Sequence, residues 1–197
     1  MLEKTLRAEL ARISIKTYQR GLVGGTGGNV SARLDSTTML ITPSGVALDE
    51  TTPDNILKVK LDTLEWVPNG SYIPSKESRF HAEIFKARSD VNGIVHCHPR
   101  YATAYAVRQM DIPYVTDAAF KQPPMPHVDF SPSGSDALAD KVAQAARANS
   151  NFRVIMLDEH GIIGVGVDLI QAYNFADLTE ELAQIAYVSA SIAYTQL

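Results

Sequence analysis

Two short apolar segments separated by three residues place the strongest restriction on the fold of this chain. Residues 154–157 and 161–167 have the composition of buried β-strands, and residues 158–160 between them leave room only for a tight turn. The two strands are therefore predicted to pair antiparallel. A helical pattern follows from residue 168 to residue 193, with apolar side chains at steps of three and four.

The remaining elements alternate between helix and strand. Ser75 is predicted to be the N-cap of a helix that ends near Arg88. Together these patterns predict an α/β fold with a central, mixed or mainly antiparallel β-sheet flanked by helices, in a single domain over residues 1–197. The other predicted elements are helices at 2–17 and 133–147, an Ala-rich helix from Pro99 to Arg108, strands at 39–41 and 93–98, and a hairpin over 56–67 turning at Asp62 and Thr63.

Composition excludes several classes of protein. The 197 residues carry 18 Lys and Arg against 22 Asp and Glu, a net charge of −4, and no basic run, so the electrostatic signature of a nucleic-acid binder is missing. No apolar stretch reaches the roughly 20 residues of a membrane span, and the N-terminus lacks the apolar core of a signal peptide. Cys97 is the only cysteine, so no intrachain disulfide can form. We expect a cytoplasmic protein that binds neither nucleic acid nor membrane.

The sequence His96-Cys97-His98 ends a predicted strand. Side chains two positions apart in a strand leave the same face, so both imidazoles point one way and Cys97 points into the core. Their Cα atoms lie about 6.5 Å apart, which lets both rings reach one divalent ion. From this pattern alone, a metal pair and a pair of hydrogen-bonded strand histidines both remain possible.

Two further residues extend the metal hypothesis. His160 lies in the predicted turn before Gly161, and a third histidine would complete a site with an open coordination position, as catalytic zinc has. Glu77 lies in the first turn of the predicted second helix, where a carboxylate also simply complements the helix dipole. His81 shares a helical face with Glu77 and is interpreted as a packing or supporting residue.

Three segments have the composition of anion-binding loops: residues 24–31, residues 42–45, and the pair Ser75 and Lys76. Glycine lets backbone N–H groups approach an anion, and a helix start adds a favourable dipole. The first segment matches neither the dinucleotide-binding nor the P-loop pattern. A plain turn explains each loop equally well when it is taken alone.

Taken together, the motifs GTGGNVS (25–31), ITPSG (41–45), PSKE (74–77), HCH (96–98) and EHG (159–161) resemble, in order, those of the class II aldolase/epimerase family. The family includes L-fuculose-1-phosphate aldolase and L-ribulose-5-phosphate 4-epimerase. The resemblance covers residues 5 to 193. It implies a mainly antiparallel sheet flanked by helices and a homotetramer with active sites between subunits.

The resemblance also implies roles for individual residues. By it, the metal ligands are His96, His98 and His160, with Glu77 as the acid/base that also reaches the empty metal site. The ion would be zinc, with manganese or cobalt as alternatives, and would stabilise an enediolate as a Lewis acid. The implied phosphate-binding residues are Gly28, Asn29, Ser44, Gly45, Ser75 and Lys76.

Three departures from the family pattern bear on the substrate. Lys76 replaces a serine of the fuculose-phosphate enzymes and is shared with relatives similar to 3-oxo-tetronate 4-phosphate decarboxylases. Asp117 lies near the position of a tyrosine that handles the proton of the aldehyde oxygen from a neighbouring subunit, with Tyr114 as the nearby alternative. The chain ends at Leu197, without the family's mobile tail, so closure over substrate is expected to be weaker or different.

These expectations favour a zinc-dependent aldolase that cleaves a small ketose 1-phosphate to dihydroxyacetone phosphate and an aldehyde. A decarboxylase of phosphorylated oxo-acids is the first alternative. A pentulose-phosphate 4-epimerase is the second, since resembling epimerases have Asp at the position of Glu77. A noncatalytic assembly module, such as the adducin head domain of the same family, is the third.

Overall fold

One seven-stranded sheet organises the computed structural model, which describes residues 3–194. The strand order is β3-β2-β1-β4-β7-β6-β5, and the neighbours pair antiparallel except β5 and β6, which are parallel. The strands are β1 (Asn29–Arg33), β2 (Thr38–Ile41), β3 (Leu57–Lys60), β4 (Gly93–Cys97), β5 (His127–Val128), β6 (Val154–Leu157) and β7 (Gly161–Gly166). The predicted hairpin of residues 154–167 is therefore present.

Helices cover both faces of the sheet. The helices are α1 (Glu3–Gln19), α2 (Ser78–Ala87), α3 (Arg100–Val107), α4 (Asp117–Phe120), α5 (Asp136–Ala148) and α6 (Leu169–Tyr194), and a short 3₁₀ turn spans Leu48–Glu50. None of the helices in residues 3–194 has the length and apolar character needed to cross a bilayer.

Strand alternation divides the buried side chains into two cores. On β4, Val95 and Cys97 join the core formed with α1, α3 and α6, whereas Ile94 joins the core formed with α2 and α5. Cys97 therefore points away from its two histidine neighbours, as predicted, and is fully buried. Burying each large apolar side chain contributes about 1.5–3 kcal/mol, so this alternation fixes which face His96 must share.

The sequence patterns misplace several boundaries. The segment interpreted as a glycine-rich loop continues into β1, which lies between β2 and β4 at the centre of the sheet. The second half of the predicted hairpin over 56–67 is reduced to a single bridge between Val59 and Trp66. Helix α4 and strand β5 are short and were not predicted. Residues 1, 2 and 195–197, including Leu2 of the predicted first helix, lie outside the described residues.

The predicted N-cap at Ser75 is wrong, because α2 begins at Ser78 with Glu77 as its N-cap. Ser75 instead forms the turn before the helix: its carbonyl oxygen accepts from the Ser78 backbone N–H at 3.0 Å, and its hydroxyl accepts from the Glu77 N–H at 3.3 Å. This turn moves the N-cap by two residues, from Ser75 to Glu77, and leaves the Glu77 side chain at the start of the helix.

Close contact between α6 and the sheet requires glycine on β7. A Cβ atom at Gly164 would lie 2.6 Å from the carbonyl oxygen of Ala172, a backbone atom in α6. Gly164→Ala is therefore expected to destabilise the fold by about 1–3 kcal/mol, the usual cost of overpacking. Gly24→Ala is the control, since no heavy atom beyond its two chain neighbours lies within 4 Å of its Cβ position. Urea unfolding measures both variants, and equal stability of the two would contradict this packing.

Candidate metal centre and its cavity

The pairing of β4 with β7 brings the three predicted histidine ligands to one edge of the sheet. Cys97 pairs with Ile162, so the end of β4 lies beside the start of β7. His98 directly follows β4, and His160 directly precedes β7. Gly161 makes the approach possible, because a Cβ atom there would lie 2.5 Å from the Cys97 carbonyl oxygen and 2.6 Å from Cδ2 of His98.

The Nε2 atoms of the histidines converge. Nε2 of His96 lies 3.0 Å from Nε2 of His98, and within residues 3–194 the ligand atoms of His96, His98 and His160 lie within 4.8 Å of one another. Nδ1 of His96 donates to the carbonyl oxygen of Ile162 at 2.9 Å. This bond assigns the proton of His96 to Nδ1 and leaves the Nε2 lone pair facing its partners, as a metal ligand requires.

Glu77 lies beside two of these nitrogens. Its Oε2 atom is 3.3 Å from Nε2 of His96, and its Oε1 atom is 3.4 Å from Nε2 of His160. The carboxylate is only 4% exposed. A buried carboxylate is stable when hydrogen bonds satisfy it, and two reach it here. Asn29 donates from Nδ2 to Oε2 at 2.8 Å, and the Ser133 hydroxyl donates to Oε1 at 2.7 Å.

Ionisation of these groups follows from burial and from their mutual contacts. Burial raises the pKa of Glu77, but the neighbouring His96 and the hydrogen bonds from Ser133 and Asn29 outweigh burial and hold this pKa below its ordinary value. Glu77 is therefore ionised near pH 7, the form that can accept a proton. Burial lowers the pKa of His96 to about 3 and also lowers the pKa values of His98 and His160. All three imidazoles are neutral near pH 7, which is the form that binds a metal.

This donor set fits a divalent transition metal. Zinc–nitrogen bonds of about 2.0–2.1 Å in tetrahedral geometry put the ligand nitrogens roughly 3.3 Å apart, close to the 3.0 Å between His96 and His98. Three imidazoles fill three of the four tetrahedral positions around zinc and leave the fourth open. Imidazole is also a suitable ligand for copper, iron and nickel. His96, His98 and His160 could thus hold the ion, and Glu77 could reach it.

A cavity of about 350 Å³ opens beside this centre. Every residue predicted for phosphate binding lines it, together with Glu77, His98 and His160. These predicted residues are Gly28, Asn29, Ser44, Gly45, Ser75 and Lys76. The structure thus brings three loops that are distant in sequence to one place. Their role in binding phosphate stays a prediction.

Sequence reasoning missed Ser133, which lines the cavity and bonds to Glu77. A signal was present, because the tripeptide Pro-Ser-Gly occurs both at 43–45 and at 132–134. In both copies the glycine has a positive φ, +73° at Gly45 and +76° at Gly134, and in both the serine lines the cavity. Thr26, Gly27 and Pro43 also line the cavity; they belong to the predicted anion-binding loops 24–31 and 42–45, but were not among the named phosphate-binding residues.

Asp117 is not brought to the centre within the described chain. It begins helix α4, its side chain is 84% exposed, and its carboxylate pairs with Lys121 at 2.5 Å. Tyr114 lines a different cavity of about 340 Å³, with Asp111 and His127. The proposed second acid/base therefore does not share the cavity of Glu77.

Comparison with known proteins agrees with this geometry. Residues 8–187 match the family model "Class II Aldolase and Adducin N-terminal domain". The chain belongs to this family. The L-fuculose phosphate aldolase of Methanococcus maripaludis is 33% identical over 184 residues, which cover 91% of this chain and 95% of the relative. The 3-oxo-tetronate 4-phosphate decarboxylase of Pectobacterium atrosepticum is 31% identical over 94% of this chain and 85% of the relative.

A solved structure supports the same assignment. The L-fuculose-1-phosphate aldolase from Thermus thermophilus matches with a TM-score of 0.83 and 28% identity, covering 98% of this chain and 97% of that one. The predicted class II aldolase family and its α/β fold with a mainly antiparallel sheet are confirmed. The prediction that the chain is a lyase of the class II aldolase type is also confirmed, at the level of the family.

The three-histidine arrangement predicts the metal content of the protein. We expect about one divalent ion per chain by elemental analysis, and its loss in His96→Ala, because two imidazoles hold zinc much more weakly than three. His127→Asn is the matched control, since His127 lies outside the three-histidine group. Metal retained at full occupancy in His96→Ala would contradict the assignment.

Proposed function

We propose that this chain is a zinc-dependent lyase of phosphorylated sugars, which cleaves a small ketose 1-phosphate to dihydroxyacetone phosphate and an aldehyde. One observation carries the proposal: the buried carboxylate of Glu77 lies 3.3 and 3.4 Å from two of three converging imidazoles, beside a cavity that Lys76 and two serine-glycine loops also line. The L-fuculose phosphate aldolase relatives support the same substrate class.

The loops and Lys76 supply binding for the phosphate. The Lys76 ammonium is the cation among the cavity-lining side chains of the described chain, and the hydroxyls of Ser44 and Ser75 can donate to phosphate oxygens. Binding energy from the phosphate, which does not react, holds the reacting carbon in place and so lowers the entropic part of the barrier.

Glu77 acts on a carbon-bound proton. In the reverse direction, the ionised carboxylate takes a proton from the hydroxymethyl carbon of dihydroxyacetone phosphate, and the electron pair delocalises into the neighbouring carbonyl as an enediolate. In cleavage, the C4 hydroxyl gives its proton to a second group and becomes the aldehyde oxygen as the bond between C3 and C4 breaks and leaves its electron pair on the enediolate. Glu77, after taking up a proton from solvent, delivers it to C3, and the second group releases its own proton to solvent. A divalent cation held by His96, His98 and His160 would supply Lewis-acid stabilisation of the developing negative charge.

The proton of the aldehyde oxygen requires a second group. We propose that Asp117 or Tyr114, from a neighbouring subunit of a homotetramer, accepts this proton in cleavage and supplies it in the reverse direction. The exposure of the Asp117 side chain, 84%, supports this role, because an exposed residue can enter the cavity of another subunit.

We also place the activity in the cytoplasm, in keeping with the free thiol of the single cysteine.

A decarboxylase of 3-oxo acid phosphates is the second candidate. Lys76 in the cavity favours it, because a second anionic group on the substrate gains from a cation there, and a named decarboxylase is 31% identical. The same carbanion forms when carbon dioxide leaves in place of an aldehyde. A panel of ketose 1-phosphates and 3-oxo acid phosphates, with aldehyde and carbon dioxide measured separately, distinguishes the two reactions. If the protein turns over neither class of substrate, the noncatalytic assembly role remains.

The role of Glu77 predicts a defect limited to proton transfer. Glu77→Gln is expected to retain its metal but to slow the exchange of solvent deuterium into dihydroxyacetone phosphate by about 10²–10⁴-fold, the usual contribution of a general base. Glu83→Gln on the same helix is the control, because Glu83 pairs with Lys86 and Arg147 and does not line the cavity. Undiminished exchange in Glu77→Gln would remove Glu77 as the base.

A further inference from the structure

A row of buried polar side chains leads from the middle of the sheet to Glu77. The Ser31 hydroxyl lies 2.6 Å from Nδ1 of His81, and Nε2 of His81 lies 2.5 Å from Oδ1 of Asn29. Nδ2 of Asn29 then donates to Oε2 of Glu77 at 2.8 Å. Ser31, Asn29, Glu77 and His81 are each at most 4% exposed. Neutral polar groups at this depth are stable only when each has a partner.

The architecture explains why these residues meet. Asn29 and Ser31 are two positions apart on β1, so they share one face of the sheet, and they pair across the ladder with His96 and Ile94. That face packs against α2, which carries His81 four residues after Glu77. His81 thus bridges strand β1 and the start of the helix from which Glu77 projects.

The direction of each hydrogen bond follows from the end of the row. An ionised carboxylate only accepts, so Asn29 must turn its amide nitrogen toward Glu77 and its carbonyl oxygen toward His81. Oδ1 of Asn29 only accepts as well, so Nε2 of His81 carries the proton. Nδ1 of the neutral ring is then the acceptor, and the Ser31 hydroxyl donates to it.

We propose that His81 is a positioning residue that acts through Asn29: its Nε2–H tautomer, selected by Ser31, fixes the Asn29 amide so that it donates to Glu77. With the opposite tautomer, the lone pair of Nε2 would face Oδ1 of Asn29, and the amide would turn its oxygen toward the carboxylate. Glu77 would then lose one of its two hydrogen bonds. Its Oε2 atom, which lies nearest His96, would no longer be held in place.

The tautomer is directly measurable without any substrate. In ¹⁵N-labelled protein, the ring of His81, assigned by comparison with His81→Gln, should show a protonated Nε2 and an unprotonated Nδ1 at neutral pH. A proton on Nδ1, or on both nitrogens, would overturn the proposal. Because no substrate is involved, this outcome is independent of the reaction proposed for the enzyme.

Two amide variants test the consequence for activity, which rests on the proposed function. In His81→Gln, the new amide nitrogen reaches the position of Nε2 and can still donate to Asn29. In His81→Asn, the shorter side chain ends near the position of Nδ1 and cannot. We expect His81→Gln to keep kcat for deuterium exchange within about fivefold and His81→Asn to lose about 10–100-fold, the usual effect of removing a group that orients a site residue. KM should change little in both.

Combining variants tests whether the effect passes through Asn29. In an Asn29→Ala background, His81→Asn is expected to cause no further loss of kcat, because coupled residues are not additive. Additive losses, or equal losses in His81→Gln and His81→Asn with folding intact, would contradict the proposal. If His81→Asn fails to fold, the tautomer measured in the unmodified protein still decides. Absence of exchange activity in the unmodified protein would count against the proposed function and leave the tautomer test valid.

Discussion

The antiparallel pairing of β4 with β7 is the contact on which the candidate centre depends. It places the end of one strand beside the start of the other, so His98 and His160 meet although 61 residues lie between them. Alternation along β4 then turns His96 toward the same side and buries Cys97 on the opposite face. A shift of one residue in this register would exchange those faces and separate the three imidazoles.

Burial of Glu77 sets the second condition. A carboxylate that is 4% exposed needs compensation, and hydrogen bonds from Asn29 and Ser133 supply it from two different parts of the chain. These bonds orient the carboxylate. Together with the neighbouring His96 they hold its pKa below the ordinary value, which keeps the group ionised. The result is an oriented, ionised carboxylate beside the three-histidine group, where either a cation or an acidic carbon-bound proton can meet it.

Local patterns in the sequence predicted much of this arrangement, because strand parity and the tight turn before Gly161 are encoded by adjacent residues. The composition of three segments indicated the anion-binding loops of the cavity, and the resemblance of five short motifs to a family then named the individual phosphate-binding residues. Strand β1 was missed because the glycine-rich segment before it has the composition of a loop, and only pairing with β2 and β4 makes residues 29–33 a strand. Ser133 was missed because the repeated Pro-Ser-Gly tripeptide indicates only a second loop of the same kind, and not the contact of that loop with Glu77, 56 residues away.

X-ray absorption spectroscopy of the zinc-loaded protein tests the central claim most directly, because it identifies the atoms bound to the metal. The account predicts three imidazole nitrogens at about 2.0–2.1 Å, completed by oxygen donors. A zinc–sulfur distance of about 2.3 Å, or a shell with fewer than three imidazoles, would contradict it.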